Sequence, residues 1–171
     1  MRRQGLASGA AGEDIRLRPP DSTDLLEVAA LIENLSLRFL DQDLTAEGRA
    51  IVRAAGQPGV LGAKWAETVF PSVNPKLVAI DRTRIVGYGA VRDRTHITQL
   101  FVAEDHQGLG IGYRLVKALV AEVRARNPQA AEITLNSAPS ALAAYLRMGF
   151  RNAGPCFTWR GIVCHPMAMP L

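Results

Sequence analysis

Apolar positions recur along this chain with two different periods, and the switches between the periods mark out its elements. Residues 15–18 alternate as Ile15, Arg16, Leu17 and Arg18, the pattern of a short half-buried strand, and Pro19, Pro20, Asp21 and Ser22 then stop the strand and offer a helix cap. From Leu25 onward Leu25, Val28, Ala29, Leu31, Ile32 and Leu35 fall at helical spacing, which predicts an amphipathic helix to about Asn34. A second helix is expected behind Thr45 as its cap, with Ile51, Val52 and Ala55 on one stripe, until Gly56, Pro58 and Gly59 break it. Residues 76–80 and 85–91 are strand-like runs joined by Asp81, Arg82, Thr83 and Arg84, and so predict a hairpin. Residues 96–102 are apolar and β-branched enough for a central strand, and a glycine-rich stretch follows them directly. Next, Leu115, Val116, Leu119, Val120 and Val123 share one face of a helix that Asn127 and Pro128 end. A strand at 132–135, a helix opened by Ser137 and Pro139 and closed by Gly149, and strands from 157 to 169 around Arg160 and Gly161 complete the pattern. That order predicts an α/β domain with a mixed sheet, not a regular βαβ alternation. Residues 1–12 carry no periodicity and read as a flexible tail, leaving 13–171 as one domain.

Composition narrows the class. With 171 residues, 48% of them hydrophobic, 21% charged and 6% aromatic, the chain suits a single globular domain and excludes a disordered or disulfide-stapled scaffold. Its net charge of +4 comes from scattered residues without a basic run, so a solvated surface is expected in preference to a nucleic-acid partner. Cys156 and Cys164 have no neighbours at ligand spacing, so no metal is expected, and free thiols are favoured over a bridge across the C-terminal hairpin. The longest apolar runs fall short of a membrane span, and the start lacks a signal-like segment; the expectation is a cytoplasmic protein without a membrane partner.

Candidate chemistry sits at the glycine-rich stretch, Gln107, Gly108, Leu109, Gly110, Ile111 and Gly112, between a strand and a helix. Glycines allow positive φ, so successive N–H groups can converge at the positive end of the helix and hold a phosphate. Such turns also arise from tight packing alone. A Walker loop requires Lys and Ser or Thr after its last glycine, where this chain has Tyr113. A dinucleotide fingerprint requires a different glycine spacing and an acid at the end of the next strand, whereas Glu132 stands at its beginning.

The pattern that does fit is Q/R-x-x-G-x-G/A, carried by Gln107, Gly110 and Gly112, with Leu100, Phe101 and Val102 before it and Tyr145, Gly149 and Phe150 after it as Y-x-x-x-G-F. In these residues the chain resembles the GCN5-related N-acetyltransferase superfamily, from about residue 15 to the end and most strongly over 96–150. Thr45, Ala46, Glu47, Gly48, His96, Ile97, Pro166 and Met167 are similar to a bacterial subgroup whose acceptors are mostly unassigned.

The resemblance implies a mostly antiparallel sheet flanked by helices, with a splayed central strand pair that takes acetyl-coenzyme A as a pseudo-strand. It implies that Leu100, Phe101 and Val102, the loop 107–112, Tyr113 and Arg114 bind this co-substrate, and that an amide near Phe101 or Val102 steadies the oxyanion. Members often place Asn seven residues before the tyrosine. Here that position is Ala138, and Asn136 or Ser137 is expected to substitute. The acceptor is expected to be a small-molecule or peptide amine, met by residues 38–71 with Phe39, Trp65 and Tyr88 as lining or core, and a homodimer through C-terminal strands is a habit of the superfamily.

Two side chains are candidates for proton transfer. Tyr145, a phenol of ordinary pKa about 10, suits a general acid for the leaving thiolate; the alternative is packing against Phe150. His96, on the strand leading to the loop, suits a base or proton relay, with Thr98 on its face by strand parity; the alternative is a satisfied structural histidine. The reading these residues favour is an acetyl-CoA-dependent N-acetyltransferase. A non-catalytic acyl-CoA sensor is the alternative, and a nucleic-acid-associated acetyltransferase is a third reading prompted by the basic charge alone.

Overall fold

In a computed structural model describing residues 14–55, 74–159 and 161–171, the elements are β1 (Arg16–Arg18), α1 (Leu25–Asp43), α2 (Ala46–Ala55), β2 (Lys76–Asp81), β3 (Arg84–Arg92), β4 (His96–Val102), α3 (Ile111–Arg126), β5 (Glu132–Ser137), α4 (Leu142–Arg147), β6 (Arg151–Asn152), β7 (Phe157–Trp159) and β8 (Ile162–Pro170). The sheet runs β1-β2-β3-β4-β5-β8-β6, and β7 pairs with β8 off this path. Every pairing is antiparallel except β4 with β5, whose connection passes through α3. The mixed, mostly antiparallel sheet expected from the sequence is therefore the sheet observed.

The two faces of the sheet carry separate apolar layers. On one, α3 lays Ile111, Leu115, Val116, Leu119, Val120 and Val123 onto Ile97, Ile133, Leu135, Phe150 and Met167. Glycines in β3 permit this approach: a Cβ on Gly87 would lie 3.0 Å from Leu115 Cδ1, and one on Gly89 would lie 2.9 Å from Leu119 Cδ1. On the other face, Val28 and Ile32 of α1 pack against Val78, Ile80, Ile85, Tyr88 and Ala90. Polar contacts fix α1 at its start. Asp21 caps a 3-10 turn at Ser22–Asp24, Asp24 takes the Arg18 guanidinium at 2.6 Å, and Glu27 Oε1 accepts the Ile85 amide at 2.7 Å.

Several boundaries differ from the sequence expectation for identifiable reasons. The first helix continues past Asn34 to Asp43, because no Gly or Pro stands between them, and it ends only where Leu44 turns extended. Thr45 does cap α2, accepting the Gly48 amide at 3.1 Å. Ser137 does not open a helix. It is the last residue of β5, still paired to His165, and a 3-10 turn at Pro139–Ala141 intervenes before α4. The short β6 has no periodicity to announce it. Cys156 and Cys164 are free, the first exposed and the second buried. No helix among the described residues is long and apolar enough to cross a membrane. The proposed tail, 1–12, lies outside the described residues.

Candidate active site

The parallel pair β4 and β5 is joined at one end only. Its register holds for His96↔Thr134 and Ile97↔Leu135, and beyond those positions the two strands pair no further. β4 remains bound on its other side to β3 and β5 to β8, so the segments 98–102 and 136–137 border a cleft with backbone groups toward it that the sheet does not use. A bulge accompanies the parting: Ala90 faces Gln99 and Val91 faces Ile97, so Thr98 is the extra residue. The strict alternation expected to put Thr98 on the face of His96 is interrupted at Thr98 itself. Thr98 is exposed.

At the open end of the cleft β4 runs through a 3-10 turn, Glu104–His106, into the glycine loop. The Gln107 amide donates to Glu104 O at 3.2 Å and its Nε2 to Val102 O at 3.1 Å. The next backbone bond belongs to Arg114, whose amide reaches Gly110 O at 3.0 Å. Among the described residues, no backbone carbonyl accepts from the amides of Gly108, Leu109, Gly110, Ile111, Gly112 or Tyr113. Gly108 and Gly110 have φ of +79° and +75°, and a Cβ at either would meet no atom within 4 Å. Their glycines thus answer a backbone requirement, and the space above them is open. Ile111 is buried in the core and offers only its amide, whereas Leu109 and Tyr113 are exposed.

Arg114, expected to bind the co-substrate, is tied on one side to β1. Its Nη2 donates to Ile15 O at 2.6 Å, strapping β1 to α3. On the β5 side Asn136 is exposed toward the cleft end, whereas Ser137 is buried and its hydroxyl donates to Ala138 O at 2.8 Å. The 3-10 turn beyond is anchored across the molecule: Asp43 accepts from the Ser140 amide at 3.2 Å and from its hydroxyl at 2.5 Å.

His96 and Tyr145 stand on opposite faces of the sheet. His96 Nδ1 lies 2.8 Å from Thr134 Oγ1, on the face away from Ile133 and Leu135. Half-burial, aided by Arg92 and opposed by Asp93, holds its pKa below the ordinary imidazole value. Tyr145 packs from α4 against the α3-side layer, its ring edge-on to Phe150 at 5.7 Å. Its hydroxyl makes no hydrogen bond among the described residues, and loss of solvent pushes its pKa up to about 12. The parted strands run between these two groups.

Sequence reasoning missed Thr134 as the partner of His96, because nothing local links positions so far apart in the chain. It also missed two buried polar atoms without hydrogen-bond partners among the described residues, Tyr88 Oη and Gln99 Nε2, on the α1 face of neighbouring strands. Tyr88 is fully buried in that layer, which pushes its phenol well above the usual range. Of the stretch expected to meet the acceptor, Trp65 and the side chain of Phe39 lie outside the described residues. No cluster of metal-ligating side chains occurs among the described residues.

Comparison with known proteins places this geometry. The acetyltransferase (GNAT) domain family matches residues 60–171. A GCN5-related N-acetyltransferase from Rhodopseudomonas palustris superposes with a TM-score of 0.72 at 22% identity, covering 95% of this chain and 99% of its own. The PaiA N-acetyltransferase of Thermoplasma acidophilum, solved with coenzyme A, gives 0.70 at 13% identity over 92% and 99%. A phosphinothricin acetyltransferase of Sinorhizobium meliloti, solved with acetyl-CoA, gives 0.66 at 21% identity over 92% and 89%. No curated protein matches the sequence.

Proposed function

The chain belongs to the acetyltransferase (GNAT) family, and from that premise we propose that it is an acetyl-CoA-dependent N-acetyltransferase acting on a primary amine by direct attack in a ternary complex. The observation that carries this reading is the cleft itself: one parallel strand pair parts after two residue pairs, and six consecutive amides without backbone partners among the described residues gather at its open end. Those amides, at the positive end of α3, suit the diphosphate of the co-substrate. The unpaired edge of β4 suits the amide-bearing pantetheine arm, which then lies as an added strand. Two relatives of this fold were solved with the same class of ligand.

In this reading the thioester carbonyl points to the backbone N–H of Val102, which the ladder with β3 does not use, a contact of the kind worth about 3 kcal/mol to an acyl-transfer transition state. The amine forms a C–N bond and the C–S bond breaks. His96, neutral at pH 7 with its pKa held below the ordinary value, stands at the closed end of the cleft and takes the amine proton through a relay of waters along it. Tyr145 stays protonated at that pH and gives its proton to the departing thiolate. Calorimetric titration with acetyl-CoA, followed by thiol release over a panel of amines, tests the proposal. Absence of binding at micromolar co-substrate removes it.

One observation favours a second reading, a non-catalytic acyl-CoA sensor. Ala138 stands where the resemblance expects Asn, and the neighbouring Ser137 hydroxyl is already bonded to the main chain. A sensor binds the co-substrate tightly without turnover.

A further inference from the structure

The residue before the glycine loop is held by contacts that the loop motif does not explain. Both ring nitrogens of His106 face carboxylates: Nε2 lies 3.0 Å from Asp81 Oδ2 on β2, and Nδ1 lies 2.8 Å from Asp105 Oδ1. A carboxylate only accepts, so the two contacts together require an N–H on both nitrogens, which imidazolium has and neutral imidazole lacks. Asp105 also takes Arg84 Nη2 from β3, at 2.6 and 2.7 Å, and that nitrogen stands 3.4 Å from His106 Nδ1. Glu27 of α1 acts on Arg84 from farther away. The two carboxylates, Asp81 first, hold His106 above the ordinary histidine value against partial burial and Arg84.

The placement gives the cluster its consequence. His106 ends the turn that delivers Gln107, and among the described residues the amides of 108–113 beyond it find no backbone carbonyl. We propose that protonated His106 is a positioning residue for this loop, tying its upstream end to the tip of the β2–β3 hairpin so that affinity for acetyl-CoA depends on the charge of that imidazole. With His106 charged, Asp81 and Asp105 balance Arg84 and His106. Loss of the proton leaves one net negative charge beside the anion site and leaves one carboxylate without its donor. Both changes weaken a diphosphate ligand as pH rises. The inference rests on the reading of the loop as the diphosphate site.

Linkage makes the effect reciprocal: a ligand whose binding favours the charged form raises the proton affinity of His106 by the same factor. The test is calorimetric titration of acetyl-CoA between about pH 6 and about pH 9 with wild type and H106N in parallel, where ionisation of the ligand's own phosphate is common to both and cancels. Wild type is expected to lose about fivefold more affinity than H106N across that span, with the effect on KM for acetyl-CoA and not on kcat, and H106K is expected to keep its affinity at the alkaline end. Proton NMR of the ring signals, from only three histidines, is expected to show the His106 midpoint above the ordinary value and higher still with coenzyme A bound. This measurement needs no variant, so it decides the matter if H106N fails to fold. Equal pH slopes in the two proteins, or a midpoint that coenzyme A leaves in place, overturn the inference while leaving the acetyl-CoA reading intact. Failure of wild type to bind at any pH removes both.

Discussion

The strands that part to form the cleft are finished in opposite ways. The β4 edge is built of main chain: an unpaired strand segment, two glycines at positive φ and a row of free amides, fixed upstream by Gln107 on Val102 and by the clasp at His106. The β5 edge is built of single side chains: a buried Ser137 turned to its neighbour's carbonyl, an alanine at 138, and one tyrosine hydroxyl without a hydrogen-bond partner among the described residues, on a six-residue helix. Binding spread over many backbone donors resists any one substitution. Chemistry resting on one hydroxyl does not. The two edges should therefore respond to mutation on different scales and in different kinetic constants.

The largest effect is expected at the β5 edge. Tyr145→Phe keeps the ring contact with Phe150 and removes only the proton, so kcat should fall by about 10²- to 10³-fold while the Kd for acetyl-CoA stays within about twofold. Unchanged turnover would take the chemistry away from this edge and leave the sensor reading standing. His96→Gln, at the closed end, comes next. A base works unprotonated, and burial holds His96 below its ordinary value, so the acid limb of wild-type kcat/KM should have its midpoint below the ordinary histidine value and lead to a plateau at higher pH. The variant should lose about tenfold on the plateau and lose the acid limb as well. A variant with full activity and an intact limb would make His96 a structural partner of Thr134 and nothing more.

The β4 edge should yield less. Gly110→Ala meets no atom within 4 Å, so its cost is the strain of an L-residue at φ +75°, about 1 kcal/mol, and the expected outcome is a roughly fivefold rise in KM for acetyl-CoA at constant kcat. A loss confined to kcat would contradict the division between the edges.

How far the sequence discloses each edge follows from the range of the contacts involved. Alternation and glycine chemistry are local, so 76–80, 85–91, 96–102 and the loop at 107–112 can be read from neighbouring letters, and the motif residues Gln107, Gly110 and Gly112 with them. Resemblance to a family adds the parted strands, which no periodicity encodes. What stays hidden is set by distant partners. Asp81 with His106, Thr134 with His96 and Asp43 with Ser140 meet only when the sheet closes. Arg114, too, donates from one nitrogen to the carbonyl of Ile15, a partner far away in the chain. The bulge at Thr98 likewise arises from the partner strand's register and leaves no mark in a run of β-branched and apolar residues.

The smallest expected effect sharpens the comparison most, because it asks the β5 edge to bind. Ala138 is extended, at φ −67° and ψ 153°, and caps the 3-10 turn that leads to Tyr145. Asn is at home in such a position, but the turn leaves it no amide to accept, since Pro139 has none, the Ser140 N–H goes to Asp43 and the Ala141 N–H goes to Ala138 O. Ala138→Asn should therefore leave Tm nearly unchanged. If the side chain reaches the arm of the co-substrate, one added hydrogen bond should tighten acetyl-CoA by about threefold in calorimetry, with no matching change in Tm. An unchanged Kd would mean that the new side chain does not reach the ligand. The β4 edge would then carry the ligand unaided, and β5 would contribute to turnover through Tyr145 without sharing in affinity.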